Sequence, residues 1–320
     1  PYLGALVNNE LVTFGYTLDI DSTVRFVTMA TPGGMQIYVR SLSFLLAKAV
    51  KDLHPGARFS VEHALGPGLY CEFEVGGVRG ISPEQAQALE AHMRDLVATD
   101  RPILRQRISY TAAIEQFTRN GQDDKVSLLR FTNTPKIVTY VCENFCDLAT
   151  GPMTRSCGPL QFFKIIPYQT GFVLQMPTCD SAPRLPDFKP IHVLTETFKE
   201  YNRWGRILGV NTVGRLNEII AANEIKDFVK VAEALHEKKI AEYADAVTRR
   251  RGKVRLVLIA GPSSSGKTTF SKRLMVQLRV NGLRPVTLST DNYFLGRTET
   301  PVGEDGKPDF ECLEAVDVPL

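Results

Sequence analysis

The chain has no long hydrophobic run. Its purely apolar stretches are short, residues 256–260 among them, whereas a membrane-spanning helix needs about 20 such residues. Charge of one sign is also lacking. Lys and Arg number 38 and Asp and Glu 35, for a net charge of +3. That excludes a strongly basic nucleic-acid binder as the default while leaving room for a local patch. Cysteine is scarce: Cys71, Cys142, Cys146, Cys157, Cys179 and Cys312 are the only six in 320 residues. Their irregular spacing is no disulfide framework and points to reduced thiols in a cytoplasmic protein. Cys142 and Cys146 stand four apart, but no second Cys or His pair lies at ligand spacing, so zinc is not expected there. The first residues carry no basic region followed by an apolar stretch, so no signal peptide is visible. Pro1 is not a natural start, and residues are expected upstream. There is no internal repeat and no low-complexity tract.

What is present is a globular balance. Apolar residues make up 43% and charged residues 23%, enough for a real core in roughly two domains. Short β-rich segments at 5–7, 11–13 and 23–28, with an Asn8-Asn9 turn, read as the tail of a small β-rich domain. Leu42, Leu45, Leu46, Ala49, Val50 and Leu53 fall on one face of a helix that ends at His54-Pro55-Gly56. Residues 58–75, with Gly66-Pro67-Gly68 inside them, predict a hairpin. Ser82, Pro83 and Gln85 form a helix-starting capping box. Residues 103–120 predict a strand and then a helix, and 137–141, 161–167 and 171–176 are further strands, so this is an α+β region. A Pro-rich stretch at 183–190 follows, then helices at 195–208 and from about 217 to 249. The last ends in Arg249-Arg250-Arg251-Gly252-Lys253, a solvated end that complements the helix dipole, with phosphate contact as the alternative.

Residues 254–260 form an almost continuous apolar run, the pattern of a buried parallel strand. It leads into Gly261-Pro262-Ser263-Ser264-Ser265-Gly266-Lys267-Thr268, the full phosphate-binding loop pattern. A helix from Thr269 to about Asn281 follows, Gly282 stops it, and 285–289 is the next expected strand. The glycines let backbone amides approach phosphates, with Ser263, Ser264, Ser265 and Thr269 in the same cradle. Lys267 supplies a compact cation for the β- and γ-phosphates, and the Thr268 hydroxyl is a Mg²⁺ ligand. ATP and Mg²⁺ are therefore the expected cofactors. Asp291-Asn292-Tyr293-Phe294 follows the second strand, where a carboxylate faces the same crevice. Asp291 either takes a proton from an attacking hydroxyl or caps the next turn.

With these motifs in view, residues 254–320 resemble the uridine kinase and phosphoribulokinase branch of P-loop kinases, through 261–269, 288–294 and Asp309-Phe310-Glu311. The resemblance implies that Asp291 is the base for a nucleoside hydroxyl, with Lys267 beside it in catalysis, and that Asp309 binds the ribose. A Tyr common three places after the base is here Phe294, with Tyr293 one place earlier. Residues 35–220 resemble the editing-type second domain of threonyl-tRNA synthetases, through 40–53, 66–73 and 147–153, and residues 1–34 resemble the end of the β-grasp domain before it. At the positions of that domain's two His, Cys and His stand Arg40, Phe44, Ala149 and Met153. None of these supplies metal-ligand or hydrolytic chemistry.

The expected architecture is therefore multidomain: a β-grasp remnant over 1–34, an α+β editing-like domain over 35–220, a helical linker over 221–252, and the first part of an α/β P-loop kinase domain with a parallel sheet over 253–320. Such a domain takes roughly 150 residues, so the chain reads as truncated within it and is expected to have little kinase activity itself. The first functional reading is an ATP-dependent phosphotransferase of the uridine kinase type, with a nucleoside or sugar as acceptor. The alternative is a nucleotide-sensing or RNA- or ligand-binding regulatory protein without kinase activity, whose RNA or small ligand sits on the middle domain. A third, residual tRNA editing, is disfavoured by the four replaced residues. No membrane partner is expected, and oligomeric state is open.

Overall fold

The computed structural model describes residues 1–262, 264–303 and 306–319. The chain divides into two compact units, Pro1–Ile219 and Ile220–Leu320. The first opens with strands β1 (Gly4–Val7), β2 (Glu10–Val12) and β3 (Val24–Val27), an antiparallel sheet in the order β2-β1-β3. Asn8 and Asn9 take positive φ at the β1–β2 turn, a conformation that Asn tolerates better than most residues.

Helix α1 (Pro32–Leu53) is the centre of this unit. Thr31 caps it, its hydroxyl accepting from the Gly34 amide at 3.3 Å, and Pro32 opens its first turn. Its burial is wider than one apolar stripe. Ile37, Tyr38, Leu42, Leu45, Leu46 and Ala49 are fully buried, as are Ser41 and Lys48, while Leu53, expected on the inner face, is exposed. The helix is covered on several sides, so its sequence cannot show a clean amphipathic period.

Hairpin strands β4 (Arg58–Ala64) and β5 (Gly68–Val75) follow, then β6 (Val78–Arg79) and helix α2 (Pro83–Ala98). The Ser82–Gln85 capping box is formed in both directions, at 3.2 and 2.9 Å. Next come β7 (Leu104–Ser109), α3 (Tyr110–Arg119), α4 (Asp123–Leu129), β8 (Lys136–Cys142), β9 (Phe145–Leu148), β10 (Lys164–Tyr168) and β11 (Gly171–Gln175). The strands form two further antiparallel sheets, β10-β11-β5-β4 with β6 on β5, and β7-β8-β9. Helices α5 (His192–Ile207) and α6 (Val213–Ala221) close the series. Neither α4 nor β9 is visible in the sequence as an element. Both are short, and β9 is ordered by its pairing with β8.

The second unit holds α7 (Ile225–Arg249), α8 (Lys267–Val280) and two short 3₁₀ turns, Thr290–Tyr293 and Leu313–Ala315. The single helix expected from about 217 to 249 is two helices, broken where Asn223 takes φ 61°. The expected parallel sheet is a correction. Residues 254–260 and 285–289 are not strands, and among the described residues no parallel pairing occurs. A parallel strand of this kind is stabilised by neighbours and by helices on both faces. Here Leu258 is 82% and Val286 85% exposed. Among the described residues, no helix is long and apolar enough to cross a membrane.

Lys48 is 1% exposed and bridges Asp52 and Glu143, both at 2.9 Å. It ties α1 to the β8–β9 turn. Burial opposes its charge, but the two carboxylates outweigh that, and its pKa lies above that of an ordinary lysine. Lys48→Ala should cost about 3 kcal/mol, because it opens a cavity and removes the cation from two carboxylates. Lys48→Met should cost about 1 kcal/mol, since His92 still meets Asp52 and Arg101 still meets Glu143. The lysine's contribution is complete below its unfolded pKa of about 10.4 and is lost as pH rises through the higher folded value. In denaturant titrations the gap between wild type and Lys48→Met should therefore narrow above about pH 10.4.

Candidate functional site

A cleft of about 710 Å³ opens in the first unit between α1, β4, the loop before α4, and the stretch from β9 to Met153. Arg40 and Phe44 enter it from α1, one turn apart, and Ala149 and Met153 from the opposite wall. The four positions singled out from the sequence thus converge in one cavity.

Arg40 donates from Nη1 to the Pro152 carbonyl at 2.7 Å. Gly151 leaves space for this approach, since a Cβ there would lie 2.8 Å from the guanidinium carbon and the Arg40 head would have to shift. The Tyr140 hydroxyl donates to the Gly151 carbonyl at 3.2 Å, and the Thr154 amide donates to Ser41 Oγ at 2.8 Å. The 151–154 wall is therefore fastened to α1 and β8 at three points. Phe44 packs on Phe145 at a ring distance of 5.1 Å. At the cleft mouth, Lys51 reaches the Asn120 carbonyl at 3.4 Å.

The polar floor is a group the sequence did not mark. Lys125 on α4 lies 2.9 Å from Asp124 and 3.5 Å from Asp147 on β9. Burial raises the Asp147 pKa above the usual carboxylate range, and Lys125 only partly offsets it. Burial also opposes the Lys125 charge, but Asp147 and Asp124 together push its pKa up. Both values move up, Asp147 through burial and Lys125 through the two carboxylates beside it. Asp147 opened the stretch that carried the synthetase resemblance, whereas Lys125 lay in a segment with no readable element. His54 also lines the cleft, with its ring edge-on to Phe73 and its Nε2 buried without a hydrogen-bond partner among the described residues.

The four side chains bring no base and no hard-metal ligand of their own. Arg stays protonated and cannot serve as a general base, and Phe, Ala and Met hold neither protons nor hard metals. Among the described residues, no three His, Cys, Asp or Glu side chains are grouped to hold a metal ion. Beside those four side chains the cleft holds cations, the carboxylates of Asp124 and Asp147, His54 and apolar walls.

In the second unit the phosphate-loop pattern leads directly into α8, as its spacing predicts. Gly266, at φ 84°, is the N-cap, and Lys267, Thr268 and Thr269 form the first turn. Ser264 takes φ 59°, and the Ser265 amide donates to the Pro262 carbonyl at 3.3 Å. Lys267 Nζ is folded onto the loop, 2.8 Å from the Gly261 carbonyl and 2.9 Å from that of Pro262. Ser263 lies outside the described residues. Asp291 sits in the first 3₁₀ turn and accepts from the Ser289 hydroxyl at 3.3 Å. The Tyr293 carbonyl accepts from the Asp317 amide at 2.7 Å. Phe294 meets Phe310 edge-on at 6.2 Å, which brings the Asp309 segment beside it. Asp309 Oδ1 accepts from the Glu311 amide at 2.9 Å. Among the described residues, no hydrogen bond or ion pair joins the 261–269 loop to Asp291 or Asp309.

Comparison with known proteins points to the tRNA side of this reading. No family model matches the chain. Over 165 residues, 51% of its length, it is 30% identical to the threonine–tRNA ligase of Finegoldia magna. It is 32% identical over the same length to those of Burkholderia mallei and Paraburkholderia xenovorans. Each match takes in 26% of the relative, so the chain spans about a quarter of the length of these curated proteins. These likenesses overturn the nucleoside-kinase expectation, in which Lys267 and Asp291 phosphorylate a nucleoside or sugar. The relatives are ligases acting on tRNA, and the kinase sheet on which that chemistry would rest is not formed. The regulatory nucleotide-sensor alternative gains no support either. Half of the chain is threonyl-tRNA synthetase-like.

Proposed function

We propose that the protein has a tRNA-related function and that the first unit binds tRNA in the Arg40–Met153 cleft without hydrolysing an aminoacyl ester. The observation that carries this is the convergence of Arg40, Phe44, Ala149 and Met153 in one cavity, with no general base or metal ligand among the four. Arg40, Lys51 and Lys125 offer cations to phosphates, and the Phe44–Phe145 pair offers apolar surface. In this reading the synthetase-like half of the chain is the first unit.

We also propose the 261–269 loop as a phosphate site for ATP. The donor set suits a polyphosphate: an ammonium group, the first-turn amides of α8 and a hydroxyl. Thr268 would hold Mg²⁺, which neutralises phosphate charge when bound. Lys267 would exchange its two loop carbonyls for phosphate oxygens, and Asp291, Tyr293, Phe294 and Asp309 would line the same site.

Filter binding of unfractionated tRNA tests the first proposal. Arg40→Ala should weaken binding about tenfold, the worth of a charge-assisted hydrogen bond. Mischarged tRNA should lose its amino acid no faster with the protein than without it. Absence of tRNA binding, or accelerated deacylation, refutes this reading. For the loop, calorimetric titration with ATP·Mg²⁺ should give binding by the wild type and its loss in Lys267→Ala. Equal heats from the two proteins would dismiss the loop as a phosphate site.

A further inference from the structure

The two helices of the second unit run parallel. Glu237 on α7 meets Arg273 and Gln277 on α8 at 3.4 and 2.7 Å. Further along, Asn281 meets Asp245 and Thr248 at 2.8 and 3.2 Å. Ile240, Ala244, Leu274 and Leu278 form the buried seam between them. Both C-termini therefore lie at the same end of the pair.

That end is basic. Arg249, the last residue of α7, is followed by Arg250, Arg251, Lys253 and Arg255, and all five are exposed. The run does not continue as a helix face. Gly252 takes φ 84°, and the Lys253 and Val254 amides both donate to the Arg250 carbonyl, at 2.9 and 3.1 Å, so the chain curls into a turn. Parallel packing adds Arg279 and Arg284, exposed on either side of Asn281. These two are about thirty residues away in sequence, and the tertiary structure alone brings them in. Asp245 is the one carboxylate within 245–255 and 279–284, and it is engaged by Asn281. Two helix C-termini present about one negative charge together. Dipole complementation thus accounts for only a small part of this cluster.

We propose that this end of the second unit is a docking surface for the phosphodiester backbone of RNA. Clustered exposed guanidinium groups from two segments match a repeating row of phosphates, and Arg forms bidentate contacts with them. The choice of RNA over other polyanions rests on the tRNA reading of the first unit. The surface positions RNA without reading its sequence, because it offers charge and no base-edge donors in a fixed frame.

The test is tRNA binding across a salt series, comparing wild type with Arg250→Gln/Arg251→Gln/Lys253→Gln. Losing three phosphate contacts should lower the slope of log K against log salt by about 2 to 3, and weaken binding at least tenfold at low salt. The control Lys226→Gln/Lys230→Gln, at the other end of α7, should change neither. The single variant Arg250→Gln, with a slope change near 0.9, serves should the triple variant melt early. An unchanged slope in the patch variants, with Arg40→Ala still weakening binding, overturns the docking surface and leaves the cleft reading in place. A fall in slope with Arg40→Ala silent does the reverse. Equal losses in the control, or no tRNA binding by wild type, also overturn it. So does a patch effect confined to vesicles containing phosphatidylserine, which would assign the surface to membranes.

Discussion

Helix α1 is buried on more than one side, and the layers of the first unit are attached to it. Its apolar residues share one core with the first sheet, with α2 and with strands β5 and β11. A helix in that position cannot solvate its polar groups, so each must find a partner inside. Lys48 does so with Asp52 and Glu143, Ser41 with the Ile37 carbonyl and the Thr154 amide, and Arg40 with the Pro152 carbonyl. These bonds satisfy buried groups and also determine where the β8–β9 turn and the 151–154 stretch lie. The cleft is thus a consequence of how α1 satisfies its own polar side chains.

The same arrangement shapes the lining of the cleft. Arg40 holds the opposite wall through its hydrogen bond to the Pro152 carbonyl, and Met153 contributes a buried apolar side chain. Gly151 leaves room for the guanidinium. Lys125 and Asp147 keep a polar floor whose charges are held partly away from water. Such a cavity combines charged groups with apolar walls.

The second unit follows a different physical logic. Its buried seam lies between two parallel helices, with Ile259 and Phe270 packed against it, while Leu256, Leu258 and Val286 remain exposed. The loop still forms its turn and launches α8, because local glycine conformations and the helix N-cap require no neighbouring strand. Parallel helices also place their C-termini together, and that geometry converts a basic run and two distant arginines into one surface.

Much of the architecture was legible in the sequence because it is written in local rules. The Asn8-Asn9 turn, the Ser82 capping box, the Gly66–Gly68 hairpin and the start and stop of α8 each depend on a few adjacent residues. The strand expected at 254–260 was misread because an apolar run states that burial is wanted and not that a partner strand exists. The short elements α4 and β9 were missed, and with them Lys125, since their order comes from pairing and packing with distant segments. For the site, the sequence by itself marked Arg40, Phe44, Ala149 and Met153 and established that none of these four side chains is a base or a hard-metal ligand. Only the tertiary structure decided that those four face one another, that Asp147 shares Lys125 with Asp124, and that Arg279 and Arg284 join the run at 249–255. Such meetings are set by the packing of α1 and of the α7–α8 seam, and no spacing along the chain encodes them.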